Sequence, residues 1–281
     1  MRGADTSEQE GSGKMIIVGE LINGTRKNPK QAIADKNADY IAELAKRQDE
    51  AGATFIDVNP GTTGDAEISD MRWLVETVQA VTSKPLSFDS PNVKALREAF
   101  EAYTGDQTPL VNSITFEKEK IDSLLPLVAE RGANVVALAM GDDGMPCMAG
   151  QRETTAKKLI DALTGAGVAA DHIYVDPVIA PLSTAHETGV HVLQAIREIK
   201  AYCPECHVTC GLSNISFGLP VRKLINRVFL VLCMSAGLDS AIMDPLDEQI
   251  MAELVAAEAL LGLDEWCMNY ITASREGKLE V

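Results

Sequence analysis

The chain has 281 residues, 46% of them hydrophobic, and 41 acidic against 25 basic residues set a formal charge of -16. That length can bury a large core, while the negative charge excludes the basic field that nucleic acid or an anionic membrane surface would need. No apolar run reaches the roughly 20 residues that cross a bilayer, so the expected partners are small molecules or proteins, and the expected compartment is the cytoplasm.

Residues 1–14 are polar and rich in Gly and Ser, without a signal peptide's apolar centre, and they are set apart as a disordered leader or an expression remnant. From Met15 onward, apolar β-rich runs alternate with amphipathic stretches of helical period. The strands fall at 15–20, 54–60, 85–90, 109–114, 134–140, 173–178, 207–213 and 240–245. The helices fall at 30–51, 65–81, 93–103, 117–131, 154–165, 185–202, 220–236 and 248–261, several stopping at a glycine such as Gly52, Gly132 or Gly237. Eight strands joined by eight crossover helices predict a single-domain α/β fold, a (β/α)8 TIM barrel over residues 15–281. The rival is an open doubly wound sheet, but no G-x-G-x-x-G follows the first strand.

In a barrel, the C-terminal ends of the strands build the site, and polar residues interrupt the apolar runs there. Glu20 and Asn23 end the first strand, Asp57 and Asn59 the second, Asp89 and Asn92 the third, and Asn112 the fourth. Asp176 closes the sixth, Ser213 and Asn214 the seventh, and Asp244 the eighth. Carboxylates accept hydrogen bonds and amides both donate and accept, so this set can read a flat heterocycle with mixed edges, such as a pterin. Each residue taken singly could instead cap the helix that follows. Asp57 and Asp176, however, sit inside their strands, ahead of the usual capping position.

Seven segments occur in order: Ile17-Val18-Gly19-Glu20-Leu21-Ile22-Asn23-Gly24, Asp57-Val58-Asn59-Pro60-Gly61, Phe88-Asp89-Ser90-Pro91-Asn92, Val111-Asn112-Ser113, Tyr174-Val175-Asp176-Pro177, Gly211-Leu212-Ser213-Asn214-Ile215-Ser216 and Leu224-Ile225-Asn226-Arg227. Together the series resembles the methyltetrahydrofolate:corrinoid methyltransferases over essentially the whole barrel. The resemblance implies a pterin-binding TIM barrel, a homodimer, that uses tetrahydrofolate or methyltetrahydrofolate as substrate beside a corrinoid carried by a partner protein. It implies that Asp89, Asn112 and Asp176 hold the pterin, that Asp57, Gly211 and Ser213 line the pocket, that Ile242 is part of its apolar wall, and that Asn214 lies near N5 and its methyl group. The family often has arginine after the first motif's glutamate, whereas this chain has Leu21.

A tertiary amine is a poor leaving group, so N5 needs a proton or a strong hydrogen bond as its methyl bond breaks. Asn214 is the expected source, with Asp176 and Asn112 in the surrounding network and the corrinoid cobalt, not a side chain, as nucleophile. The direction of transfer stays open, toward folate in a demethylation pathway or away from it in carbon fixation.

Other features point elsewhere or stay ambiguous. Six scattered cysteines suit a reducing compartment more than a disulfide framework. Cys203, Cys206, His207 and Cys210 include a Cys-x-x-Cys of zinc-like spacing, but no second ligand pair accompanies it, and Cys203 and Cys206 precede the seventh strand, at the opposite barrel end from Asn214, so no metal is expected. Gly141-Asp142-Asp143-Gly144 reads as a mouth loop and not as a phosphate cradle. Arg222, Lys223 and Arg227 form either a solvated helix face or a contact for the folate tail or the corrinoid partner. The alternatives are a dihydropteroate synthase, which needs a basic pyrophosphate site, and a noncatalytic folate-binding subunit.

Overall fold

The structure, a computed structural model, describes residues 14–146 and 150–279. The proposed leader, except for Lys14, lies outside the described residues. Eight parallel strands form one sheet: β1 (Ile16–Asn23), β2 (Phe55–Asn59), β3 (Leu86–Asp89), β4 (Leu110–Phe116), β5 (Asn134–Gly141), β6 (Ile173–Asp176), β7 (His207–Val208) and β8 (Ser240–Met243). Their order is β7-β6-β5-β4-β3-β2-β1-β8, so the first and last strands pair. The remaining seam joins the short β7 to β8, where Gly211 bridges Ile242 and Ile242 N–H donates to Cys210 O at 2.9 Å. The expected (β/α)8 barrel is therefore the observed one.

Helices cover the outside: α1 (Lys27–Ala34), α2 (Ala38–Glu50), α3 (Asp65–Gln79), α4 (Val93–Ala102), α5 (Lys118–Arg131), α6 (Gln151–Gly165), α7 (Thr188–Tyr202), α8 (Arg222–Ala236), α9 (Glu248–Leu260) and α10 (Met268–Arg275). The buried strands read as nearly continuous apolar runs because both of their faces are covered. Outward residues such as Ile17, Ile56, Phe88, Val111, Val135 and Val175 join the large core beneath the helices. Phe88, for example, meets Phe100 and Tyr103 edge-on, with centroids at 5.3 and 5.7 Å. The alternate residues Val18, Phe55, Leu110, Val136 and Tyr174, with Ile16 and Ile242, form a second, smaller cluster. Because strand side chains alternate in direction, this second cluster fills the barrel's interior.

Three expectations change. The helix expected at 30–51 is two helices, because Lys36 takes a left-handed φ of 50° and Asn37 caps α2 by accepting from Tyr40 N–H at 3.1 Å. The seventh strand shrinks to two residues, and the chain then winds into a 3-10 helix, Leu212–Ser216. Cys203 and Cys206 form a disulfide, against the expectation of a reducing-compartment cysteine usage, since a tight turn with Cys206 N–H donating to Cys203 O brings them together. Cys210 and Cys233 stay free and buried, and burial pushes the Cys233 thiol up to about 12. Among the described residues no cluster of three or more His, Cys, Asp or Glu side chains could hold a metal.

Candidate active site

Strand parity selects the residues that face the mouth. Two positions beyond the interior cluster on five of the strands come Glu20 after Val18, Asp57 after Phe55, Asn112 after Leu110, Asp176 after Tyr174 and Asp244 after Ile242. On β3, Phe88 points outward, so its neighbours Ser87 and Asp89 point inward. Register places Asp57 beside Ser87, Asp89 beside Asn112, and Gly211 beside Ile242. The polar residues at the C-terminal ends of β1, β2, β3, β4, β6 and β8 thus form one layer above an apolar floor.

That layer is hydrogen-bonded within itself. Ser87 Oγ donates to Asp57 Oδ1 at 2.6 Å, and Asn112 Nδ2 reaches the same oxygen at 3.4 Å. Asn59 Nδ2 donates to Asp89 Oδ2 at 2.7 Å while its own oxygen accepts from Gly61 N–H. Burial, aided by the charge of Asp89, pushes the Asp57 carboxyl well above the usual carboxylate range, against the pull of Ser87 and Asn112. Burial likewise lifts Asp89 to about 6, with the Asn59 hydrogen bond opposing and the Glu67 charge adding. At the edge of the mouth, burial raises Glu20 despite the Arg26 guanidinium 2.5 Å away, and Asp244 raises it further. Arg26 therefore places a cation at the mouth, where Leu21 leaves its own position in the motif apolar.

The β6 to β8 side carries the remaining expected residues. Asp176 is 7% exposed, and burial pushes its carboxyl to about 6 although the backbone N–H groups of Val178 and Gly211 both favour its charged form. Asn214 sits on the 3-10 helix with its side chain folded over Gly211, so close that a β-carbon built there would lie 3.2 Å from Asn214 Nδ2. Glycine at 211 thus makes room for the amide. Ser213 faces the neighbouring helix through its carbonyl, which accepts from Arg222 Nη2 at 2.7 Å, and Arg222 Nε donates to Ser216 Oγ at 3.1 Å. Asp176, Gly211, Asn214 and Ile242 are therefore contiguous, and Asp57, Asp89 and Asn112 form a second contiguous group on β2 to β4.

Other strand-end residues serve the backbone. Asn92 caps α4 by accepting from Lys94 N–H at 3.0 Å, Asn23 accepts from Thr25 N–H at 2.9 Å, and Asp244 accepts from Leu246 N–H at 2.9 Å. Lys223 and Arg227 both pair with Asp247, at 3.0 and 3.3 Å. A cavity of about 640 Å³ lies beside the ring, lined by Phe116, Ala139, Gly141, Thr154 and Lys158 among others and by none of the expected site residues. It sits under the Asp142-Asp143 loop, away from the polar layer whose hydrogen bonds define the site, and it carries no part of the chemistry argued below.

Sequence reading missed Ser87, Glu67 and Arg152. Ser87 looks like an ordinary strand residue, although its i±2 relation to Asp89 on β3 was a usable signal. Glu67, 6% exposed, accepts from Ser90 Oγ at 2.5 Å and Asn92 Nδ2 at 3.0 Å, bracing the turn after Asp89 from the first turn of α3. No pattern in the sequence marks a helix residue as the support of a neighbouring strand end.

These features define a pterin-binding barrel: the chain matches the family described as "Pterin binding enzyme" over residues 19–244. It is 38% identical over 267 residues to the methylcorrinoid:tetrahydrofolate methyltransferase of Eubacterium limosum, covering 94% of this chain and 98% of that protein. The chain belongs to the methyltetrahydrofolate:corrinoid methyltransferase family within the pterin-binding enzymes. It is also 32% identical over 241 residues to the methionine synthase of Mycobacterium tuberculosis, spanning 81% of this chain but only 20% of that much longer protein. Among solved structures, dihydropteroate synthases from Yersinia pestis with a pterin-sulfa conjugate and from Xanthomonas albilineans with 4-aminobenzoic acid superpose with TM-scores of 0.65 and 0.66. They cover 89% and 90% of this chain, and 95% and 94% of their own, at 17% and 15% identity, a likeness of fold alone.

Proposed function

We propose that this chain transfers a methyl group from a methylated corrinoid protein to N5 of tetrahydrofolate, using one pterin-binding domain over residues 15–281. The observation that carries the reading is the layer of carboxylates and amides from separate strands around one barrel mouth, with no histidine, cysteine or lysine among them. Such a set binds and polarises a heterocycle but offers no side-chain nucleophile. The direction follows the near full-length relative, which is named for methylcorrinoid as donor and tetrahydrofolate as acceptor.

The proposed roles follow from hydrogen-bonding capacity. Asp89 and Asp176 accept from the N–H edge of the pterin, and Asn112, whose Nδ2 already turns toward Asp57, supplies a donor to its carbonyl edge. Asp57 supports that pair from below, Gly211 and Ser213 complete the pocket wall, and Ile242 is the apolar surface beside it. The bound corrinoid supplies the cobalt that releases or accepts the methyl group. Asn214 holds N5: its amide oxygen accepts from N5–H while the N5 lone pair takes the methyl, the N5 proton then passes to solvent, and the reverse transfer runs back through the same N5-protonated, Asn214-bonded state. Folate-tail or partner contact falls to the exposed rim residues around Arg26 and Arg222.

The reading places the chain in the cytoplasm, with a corrinoid protein as partner and a second copy of itself as its dimer mate. No helix among the described residues is long and apolar enough to cross a membrane. A dihydropteroate synthase activity is disfavoured because the late basic residues Lys223 and Arg227 are held by Asp247 and Arg222 is turned onto Ser213 and Ser216. Mixing the protein with a methylated corrinoid protein and tetrahydrofolate should produce methyltetrahydrofolate with a matching change in the cobalt spectrum. Folate binding without that change would make the chain a noncatalytic folate-binding subunit, and condensation of a pterin pyrophosphate with 4-aminobenzoate would make it a synthase.

A further inference from the structure

We propose that Arg152 is a positioning residue for Asp176, acting by clamping the left-handed turn at Val178 that fixes the carboxyl in the barrel mouth. This rests on the reading of Asp176 as a pterin-holding side chain. The turn is unusual in chemistry. Val178 follows Asp176-Pro177 directly and takes a φ of 60°, a region where a β-branched side chain clashes with its own backbone and glycine is the ordinary choice. Such a residue persists only where its surroundings over-determine it.

Two hydrogen bonds do so. Val178 N–H donates to Asp176 Oδ1 at 2.8 Å, and Val178 O accepts from Arg152 Nε at 3.1 Å. Arg152 is only 3% exposed, and it stands in the first turn of α6, where the helix dipole disfavours a cation. A guanidinium there works against the helix dipole, and its Nε makes a charge-assisted bond to the Val178 carbonyl. Val178 O lies in the peptide that follows the residue and Val178 N–H in the one before, so a bond at each end holds the φ and ψ between them in the left-handed region, and the N–H stays aimed at Asp176. The Gly211 backbone N–H also favours the charged form of this carboxyl, which lies next to the glycine over which Asn214 folds. Arg152 thus couples α6 to both halves of the β6 to β8 side of the site.

The clamp should be dispensable when the turn is no longer strained, and glycine at 178 removes the strain. Tetrahydrofolate is titrated calorimetrically into the wild type, Arg152→Met, Arg152→Lys, and Arg152→Met combined with Val178→Gly. Arg152→Met should weaken binding by about ten- to a hundredfold, the range for losing a well-placed hydrogen bond to a charged group. Arg152→Lys should fall between, and the double variant should recover most of the loss. Unchanged affinity in Arg152→Met overturns the proposal, as does a loss that Val178→Gly does not repair, which is the behaviour of a purely structural arginine. If Arg152→Met does not fold, Arg152→Lys with and without Val178→Gly gives the same comparison. Failure of the wild type to bind tetrahydrofolate counts against the proposed function instead. The clamp is then read from amide exchange at Val178, where lost protection in Arg152→Met or Arg152→Lys supports it and retained protection overturns it.

Discussion

In the proposed reaction Asn214 and the two mouth carboxylates Asp89 and Asp176 carry different parts, and these are separable by experiment. Asn214 is exposed on its 3-10 helix, and the proposed role has it contribute when N5 changes its hydrogen bonding and little to ground-state affinity. Asn214→Ala should therefore lower kcat by about a hundredfold while changing folate affinity by less than about tenfold, in single-turnover and calorimetric measurements. Transfer at the wild-type rate would end its assignment. Asp89 and Asp176, by contrast, lie near 6 in the free protein because burial disfavours their charge. Since folding raises both from the ordinary 3.8, they favour the folded state below that value and lose this contribution as pH rises to about 6. For the buried Asp176 this amounts to roughly 3 kcal/mol forgone at neutral pH. A pterin that donates to the carboxylates stabilises their charged form and lowers these values. Binding should then release protons near pH 6 and tighten as pH rises toward that value, levelling off above it. Calorimetry in buffers of different ionisation enthalpy measures the released protons, and uptake instead of release would show that the acids bind the ligand protonated.

The elements divide according to how their residues advertise themselves. Strands buried on both faces read as apolar runs, which is why all eight were legible, together with the inward polar residues two positions past the apolar floor. β7 was overextended only at its end: Thr209 N–H still donates to Val175 O and Cys210 O accepts from Ile242 N–H, both at 2.9 Å, but these are isolated contacts and the chain winds into the 3-10 helix from Leu212. The break between α1 and α2 was hidden because apolar spacing runs across Lys36, and only Asn37 before Ala38 marks a new cap. Supports such as Glu67 and Arg152 were illegible because their partners lie on other elements. The short β7 has an energetic consequence. Its seam with β8 is held by Asp239, which accepts from Val208 N–H and Lys200 Nζ, both at 2.8 Å, and faces His207 Nδ1 at 3.1 Å, while Tyr174 stacks on the His207 ring. Burial pushes the Asp239 carboxyl up, but His207, Lys200 and Val208 outweigh it and hold it below its ordinary value. A depressed carboxyl stabilises the fold above its unfolded value of 3.8 and ceases to do so as pH falls through its folded value. Asp239→Asn should cost about 1–2 kcal/mol at neutral pH in urea melts, with the deficit shrinking below pH 3.8 as the wild type protonates. A deficit independent of pH would mean that the loss is one of packing.

At the scale of the whole molecule, a charge of -16 sets where a second copy can approach. Two such bodies repel, so a stable contact must fall on a face that carries apolar surface and no carboxylate. α8 is such a face: its fifteen residues include no Asp or Glu, and Lys223 and Arg227 are matched locally by Asp247. Val221, Leu224, Val228 and Leu232, at three- and four-residue spacing, stand 74, 58, 53 and 46% exposed along one side of it. A two-fold contact would lay this stripe against itself, antiparallel, with Val228 close to the axis and each end meeting the other's opposite end. One helix stripe is less than the roughly 800 Å² per partner of a stable interface, so the neighbouring α7 and α9 must contribute its rim. Because Val221 begins the stripe just after the segment that bears Asn214, a dimer built this way would also brace each mouth from outside without covering it. The wild type should therefore sediment as a dimer at micromolar concentration, and Leu224→Glu with Val228→Glu should sediment as a folded monomer, since four carboxylates would then face each other across the axis. A wild-type monomer, or a double variant that still dimerises, would remove α8 from the interface.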